Sequence, residues 1–194
     1  MASPGSGGDA MRPLFHGQLV RLTAEDPEVR ARLEARWERD SEFHRLADGE
    51  PARLASEKSH KESIEKRLEK PMPPNRFPFM IRALSDDKII GFLGLWVDLF
   101  HADAFVGIAI GERDYWGKGY GTDAMRTILH YGFTEINLRR VTLTVFEYNP
   151  RAIRSYEKAG FRQEGCLRQF LNREGRRWDM LYMGILREEW EALP

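Results

Sequence analysis

The chain has 194 residues, 42% hydrophobic and 11% aromatic, which is enough apolar mass for one domain with a sizeable core. Its 30 Lys and Arg balance 30 Asp and Glu, which argues against a function built on nucleic-acid binding through overall charge. One cysteine, Cys166, excludes an internal disulfide and a cysteine-rich metal site, and the longest strongly apolar run, Ile89 to Val97, is far short of the ~20 residues of a membrane span.

Met1 to Pro13 is rich in Gly, Ser, Ala and Pro and has no apolar block. It is predicted to be a disordered tail rather than a secretory leader, with Met11 as an alternative start. A cytoplasmic protein is expected, with residues 14–194 as its single domain. Leu19-Val20-Arg21-Leu22 reads as a short strand. Asp26 to Asp40 carries Val29, Leu33, Ala35 and Trp37 among charges, and Pro27 suits a first helical position. Ser56 opens a second helical pattern, Ser59 to Lys70, with Ile64 and Leu68 on one face and a solvated Lys/Glu run. Pro71, Pro73 and Pro74 end it.

Strand patterns follow. Phe77 to Ala83 and Lys88 to Val97 predict a hairpin about Ser85-Asp86-Asp87, and Phe105 to Ile110 a third strand. The glycine-rich turn Tyr115 to Gly121 opens a helix over Thr122 to Asn137, with Met125, Ile128, Leu129, Phe133 and Ile136 at helical spacing. Val141 to Phe146 alternates as a strand. The next helix has an N-cap at Asn149, Pro150 in its first turn and Gly160 to close it. Phe161 to Leu171 and Arg176 to Leu186 predict two strands about Asn172-Arg173-Glu174-Gly175. The order predicts a mixed α/β domain with a strand–loop–helix unit at its centre.

In that unit Gly117, Gly119 and Gly121 alternate just before a helix start. Glycine lets backbone approach a ligand closely, and the first helical turn offers unpaired N–H groups with partial positive charge, so a phosphate or diphosphate is the expected ligand. A triphosphate-binding P-loop is excluded because G-x-x-x-x-G-K-[ST] is absent. A dinucleotide fingerprint fails because its last glycine would fall at Thr122, and Arg139 and Arg140 stand where an acid is needed.

Trp116-Gly117-Lys118-Gly119-Tyr120-Gly121 resembles the acyl-CoA loop of the GCN5-related N-acetyltransferases, [Q/R]-x-x-G-x-[G/A], and departs from it only at Trp116. Asn149 to Phe161 resembles that family's N-x-x-A-x-x-x-Y-x-x-x-G-F segment, at the expected distance. The run from Ala104 to Met183 is most similar to the branch of ribosomal-protein and spermidine acetyltransferases.

The resemblance implies a twisted, mostly antiparallel sheet flanked by helices, whose strands Phe105 to Ile110 and Val141 to Phe146 splay into a V. It implies acetyl-CoA as co-substrate, with its arm on the backbone of Ile108, Ala109 and Ile110 and on the Asn149 amide, and its diphosphate on the loop Trp116, Gly117, Lys118, Gly119, Tyr120, Gly121 and Thr122. Tyr156 is the implied proton donor to the leaving thiolate. A primary ammonium must lose a proton before it attacks; Glu112, just past the flanking strand, is the first base considered, Asp98 the second and water a third. Lys118, Arg151, Arg154 and Lys158 are further cations for phosphate.

The expected function is therefore transfer of an acetyl group from acetyl-CoA to a primary amine (a polyamine, another small amine or a protein N-terminus) by direct attack in a ternary complex. No metal, nucleic acid or membrane is involved, and a homodimer is left open. The rival reading is a non-catalytic acyl-CoA-binding module, prompted by Trp116 and by the lack of an obvious base.

Overall fold

A computed structural model describes residues 13–69 and 73–194. The expected tail, Pro13 apart, and the expected helix stop at Pro71 lie outside the described residues.

In chain order the elements are β1 (Val20–Thr23), α1 (Pro27–Trp37), α2 (Ser41–Ala47), α3 (Glu57–Leu68), β2 (Arg76–Ala83), β3 (Ile89–Asp98), β4 (Asp103–Ile110), a 3-10 turn (Arg113–Tyr115), α4 (Tyr120–Thr134), β5 (Arg140–Phe146), α5 (Pro150–Lys158), β6 (Arg162–Arg173), β7 (Arg176–Leu186) and α6 (Arg187–Glu191). The strands form one sheet in the order β1-β2-β3-β4-β5-β7-β6. Every neighbouring pair is antiparallel except β4–β5.

The helical region differs from expectation. The stretch expected to run to Asp40 is α1, which ends at Trp37, and a further helix that was not expected, α2, begins at Ser41, because the Asp40 carboxylate accepts the N–H groups of Glu42 and Phe43 and so caps it. Arg113 of the 3-10 turn, 73 positions along the chain, binds the same carboxylate and holds it below the ordinary carboxylate pKa. Helix α4 begins two residues before Thr122 and stops short of Asn137, which sits at φ 61°. The β6–β7 turn is only Glu174-Gly175, both at positive φ, so Asn172 and Arg173 continue the strand.

Two clusters sandwich the sheet. On one face Met125, Ile128, Leu129 and Phe133 of α4 pack on Val20, Ile81, Leu95, Val106, Leu143 and Ile185, and all four helix residues are fully buried. On the other face Leu33 and Trp37 of α1 and Phe43 of α2 pack on Met80, Ile89 and Ala109. The Trp37 ring lies where a Cβ on Gly111 would stand, 2.0 Å from its Cδ2, so only glycine lets α1 close on the end of β4. Gly111→Ala is expected to lower stability by roughly 1–3 kcal/mol through overpacking, read as a fall in the midpoint of thermal unfolding. An unchanged midpoint would mean that the ring moves aside freely.

Candidate active site

The site lies where β4 and β5 part. They pair only at Asp103–Arg140, Ala104–Val141 and Phe105–Thr142; past these positions the two strands share no register, as the V predicts. An unbroken sheet seals its faces from each other, but here a strand edge stands open through the layer. Gly111 N–H donates to Ile90 on β3, so strand alternation turns the peptide of Ala109 toward β3 and those of Ile108 and Ile110 toward the gap. This corrects the expectation for Ala109, whose peptide is committed to the sheet. It also qualifies Ile110, whose carbonyl already accepts the Trp116 indole N–H at 2.7 Å.

Beyond β4 the chain makes the 3-10 turn and enters the glycine run. Gly117 and Gly119 take φ of 72° and 91°, in the region where a Cβ is strained, and Gly119 is the N-cap of α4 without a side-chain cap. The N–H groups of residues 117–122 find no acceptor among the described residues. Gly117, Gly119, Gly121 and Thr122 line a cavity of about 480 Å³ between β4, α4 and α5, beside the partial positive charge of the helix end, whereas Lys118 and Tyr120, also expected in the loop site, do not line it. The Thr122 and Ser155 hydroxyls hydrogen-bond at 2.8 Å and tie α4 to α5. Arg126, Arg151, Arg154 and Lys158 also line this space, so donors and charge suit the phosphates of an acyl-CoA.

Helix α5 brings Asn149 and Tyr156 to the same cavity. Asn149, 8% exposed, caps its helix through the Ala152 N–H, and its amide nitrogen makes a long 3.5 Å contact with the Leu46 carbonyl. The Tyr156 hydroxyl bonds to no described residue, and burial pushes its pKa up to about 12. It therefore stays protonated at neutral pH and is free to donate.

Glu112 does not meet its expected role. It lines neither cavity of the site. Its carboxylate pairs with Arg36 and with Lys88 (2.7 Å) and accepts the Trp37 indole N–H at 2.8 Å. These three donors occupy the carboxylate, so Glu112 ties α1 to the end of β4. Asp98 is no better placed: its carboxylate caps the N–H groups of Phe100 and His101 in the β3–β4 turn.

A second cavity, about 810 Å³, opens on the α1–α3 side. It shares Phe43, Ala47, Ile108 and Ala109 with the first, so the two meet at the parting of β4 and β5. Its wall holds the carboxylates Glu25, Glu34, Glu38, Asp48 and Glu69 against the guanidinium groups of Arg30 and Arg76, with aromatic surface from Phe43, Phe77, Phe92 and Trp96. Arg30 pairs with Glu25 and Glu34, whereas Glu38 is joined by His60 Nε2 at 2.9 Å. Among the described residues no group of three or more His, Cys, Asp or Glu is placed to hold a metal ion, and no helix is long and apolar enough to cross a membrane.

Split strands, an unpaired amide row at a helix start and a phenol that bonds to no described residue suit an acyl-CoA. The chain belongs to the GNAT acetyltransferases: the acetyltransferase (GNAT) domain model matches residues 18–162. It is 32% identical over 117 residues to the uncharacterized N-acetyltransferase p20 of Bacillus licheniformis, over 60% of this chain, and it spans 64% of that relative's length. Among solved structures it resembles a chimera of the Vibrio cholerae spermidine N-acetyltransferase SpeG and hSSAT, at 25% identity and TM-score 0.75 over 91% of this chain and all of that one. It also shares the fold of the Vibrio cholerae spermidine N-acetyltransferase solved with CoA and spermine, at 24% identity and TM-score 0.77 over 90% and 99% of the two chains.

Proposed function

We propose that this chain is a cytoplasmic acetyl-CoA-dependent N-acetyltransferase whose acceptor is a primary amine carrying further positive charge, of the polyamine kind. The observation that carries this reading is the meeting of two unlike cavities at Ile108 and Ala109. One is lined by unpaired amides and cations, the other by excess carboxylate and aromatic rings. A phosphate-bearing thioester suits the first and a cationic amine the second.

In this mechanism residues 117–122 hold the diphosphate, and the Ile108 peptide and Asn149 orient the arm. The acceptor ammonium enters along the acidic wall and gives a proton to Glu38, the wall carboxylate whose partner is His60 rather than an arginine. The freed nitrogen attacks the thioester carbonyl carbon. The C–N bond forms, the C–S bond breaks, the departing sulfur takes the Tyr156 proton, and the excess proton shed by the new amide nitrogen returns to the Tyr156 oxygen. The spermidine acetyltransferases among the structural relatives support the acceptor class.

Incubating the full chain with radiolabelled acetyl-CoA and a panel of spermidine, diaminopropane, monoamines and an N-terminal peptide tests the reading. Label is expected on the polycationic amines first; transfer to none of them, with CoA bound, would refute it. Glu38→Gln is expected to lower kcat/KM for spermidine by about tenfold or more while leaving CoA affinity unchanged. An equal loss of CoA affinity would place Glu38 outside the acceptor wall.

A further inference from the structure

Two guanidinium groups lie over the Trp116 ring, Arg113 at 5.0 Å from its centroid and Arg151 at 3.9 Å. Their charges are handled differently. Arg113 is paired to Asp40 and Glu42. Arg151 has no carboxylate within ion-pair distance among the described residues; Glu42 acts on it only at longer range, and Arg113 opposes it. Arg126, Arg154 and Lys158 line the same cavity but are exposed, whereas Arg151 is half-buried. A desolvated cation without a counter-ion is costly, and the indole face returns only part of that cost. An arriving anion would return the rest.

The indole itself is fixed, because its N–H is anchored on the Ile110 carbonyl at 2.7 Å. Trp116 is also covalently joined to Gly117, where the row of unpaired N–H groups begins. Arg151, Trp116 and Gly117 line the same cavity, so the stacked guanidinium shares that space with the start of the amide row.

We infer that Arg151, positioned by Trp116, is the anion clamp of the donor cavity and closes on the diphosphate of acyl-CoA opposite the amides of residues 117–122. The inference rests on the acyl-CoA reading given above and assigns a binding residue within it; Trp116 acts as a positioning residue. A planar, forked guanidinium suits two phosphoryl oxygens, and stacking holds it ready at small entropic cost.

Calorimetric titration of the full chain with CoA, dephospho-CoA and pantetheine tests it without an acceptor. Arg151→Ala and Arg151→Gln are expected to lose about tenfold or more in affinity for CoA and for dephospho-CoA, which keeps the diphosphate, and to bind pantetheine as the parent does. Arg151→Lys recovers only part of the loss, and Trp116→Leu loses affinity in the same direction with Arg151 intact. Parent-like CoA affinity in either folded Arg151 variant overturns the inference alone. A loss seen with CoA but not with dephospho-CoA overturns it in favour of the 3′-phosphate. A folded parent that binds no CoA overturns the donor reading and this clamp together.

Discussion

Tyr156→Phe is expected to lower kcat by roughly a hundredfold or more, with little change in KM for either substrate and none in the fold. The phenol lines the donor cavity and bonds to no described residue, so removing its oxygen breaks no internal hydrogen bond. The melting midpoint should stay within about a degree of the parent's. Its pH behaviour follows from the direction of the shift. Burial raises the pKa from 10.0 to about 12, so the acid form persists through the working range. Any alkaline loss of turnover due to this group appears on the approach to about 12 rather than near 10.0. The same shift bears on stability. Above 10.0 the unfolded chain ionises first, so the contribution is full below that value and is lost as pH rises toward about 12. The Phe variant should lack that alkaline decline. Turnover equal to the parent's would remove Tyr156 from the chemistry.

The largest expected effect on stability comes from a residue with no chemical role. Asp123 is 8% exposed on the first turn of α4, and its carboxylate accepts the N–H groups of Gln18 (3.0 Å), Leu19 (2.7 Å) and Val20 (3.0 Å). Gly17 makes room for it, since a Cβ there would stand 2.3 Å from the Asp123 Oδ2. Asp123→Ala leaves those donors without an acceptor and should cost roughly 3–5 kcal/mol, a fall of about 10 °C in the melting midpoint. Asp123→Asn keeps one acceptor oxygen and should fall between. The loss should reach the donor site, because Leu19 lies behind Gly119, 3.4 Å from where its Cβ would be, so CoA affinity declines in the same variants. A fall of less than about 2 °C for the alanine variant would show that the N-terminal strand is held by packing and not by this carboxylate.

Legibility in the sequence followed the range of the interactions concerned. The cap at Asn149, the glycine loop, the apolar stripe of α4 and the alternation of β5 depend on residues a few positions apart, and each was readable. The break between α1 and α2 was not, although Asp40 followed by Ser, Glu and Phe is a fair capping sequence. What pins that cap, Arg113, is 73 positions away. Glu112 was misread for the same reason: its place next to the flanking strand was correct, but its partners Arg36, Trp37 and Lys88 come from α1 and the start of β3. The wall of Glu34, Glu38 and His60 is not legible in the sequence, where these residues form ordinary charged runs.

By itself the sequence determined where backbone amides would be left open, because glycine at Gly117 and Gly119, and a helix start with no capping side chain, are local facts of chain geometry. It also placed a phenol one helix and one strand downstream. The tertiary structure alone decided which charges are already neutralised. Among the described residues Glu112 is paired with two cations, Arg113 with two acids, and Arg151 with none. Availability for chemistry is what remains after long-range pairing, and electrostatic pairing depends on distance in space, which residue order does not encode.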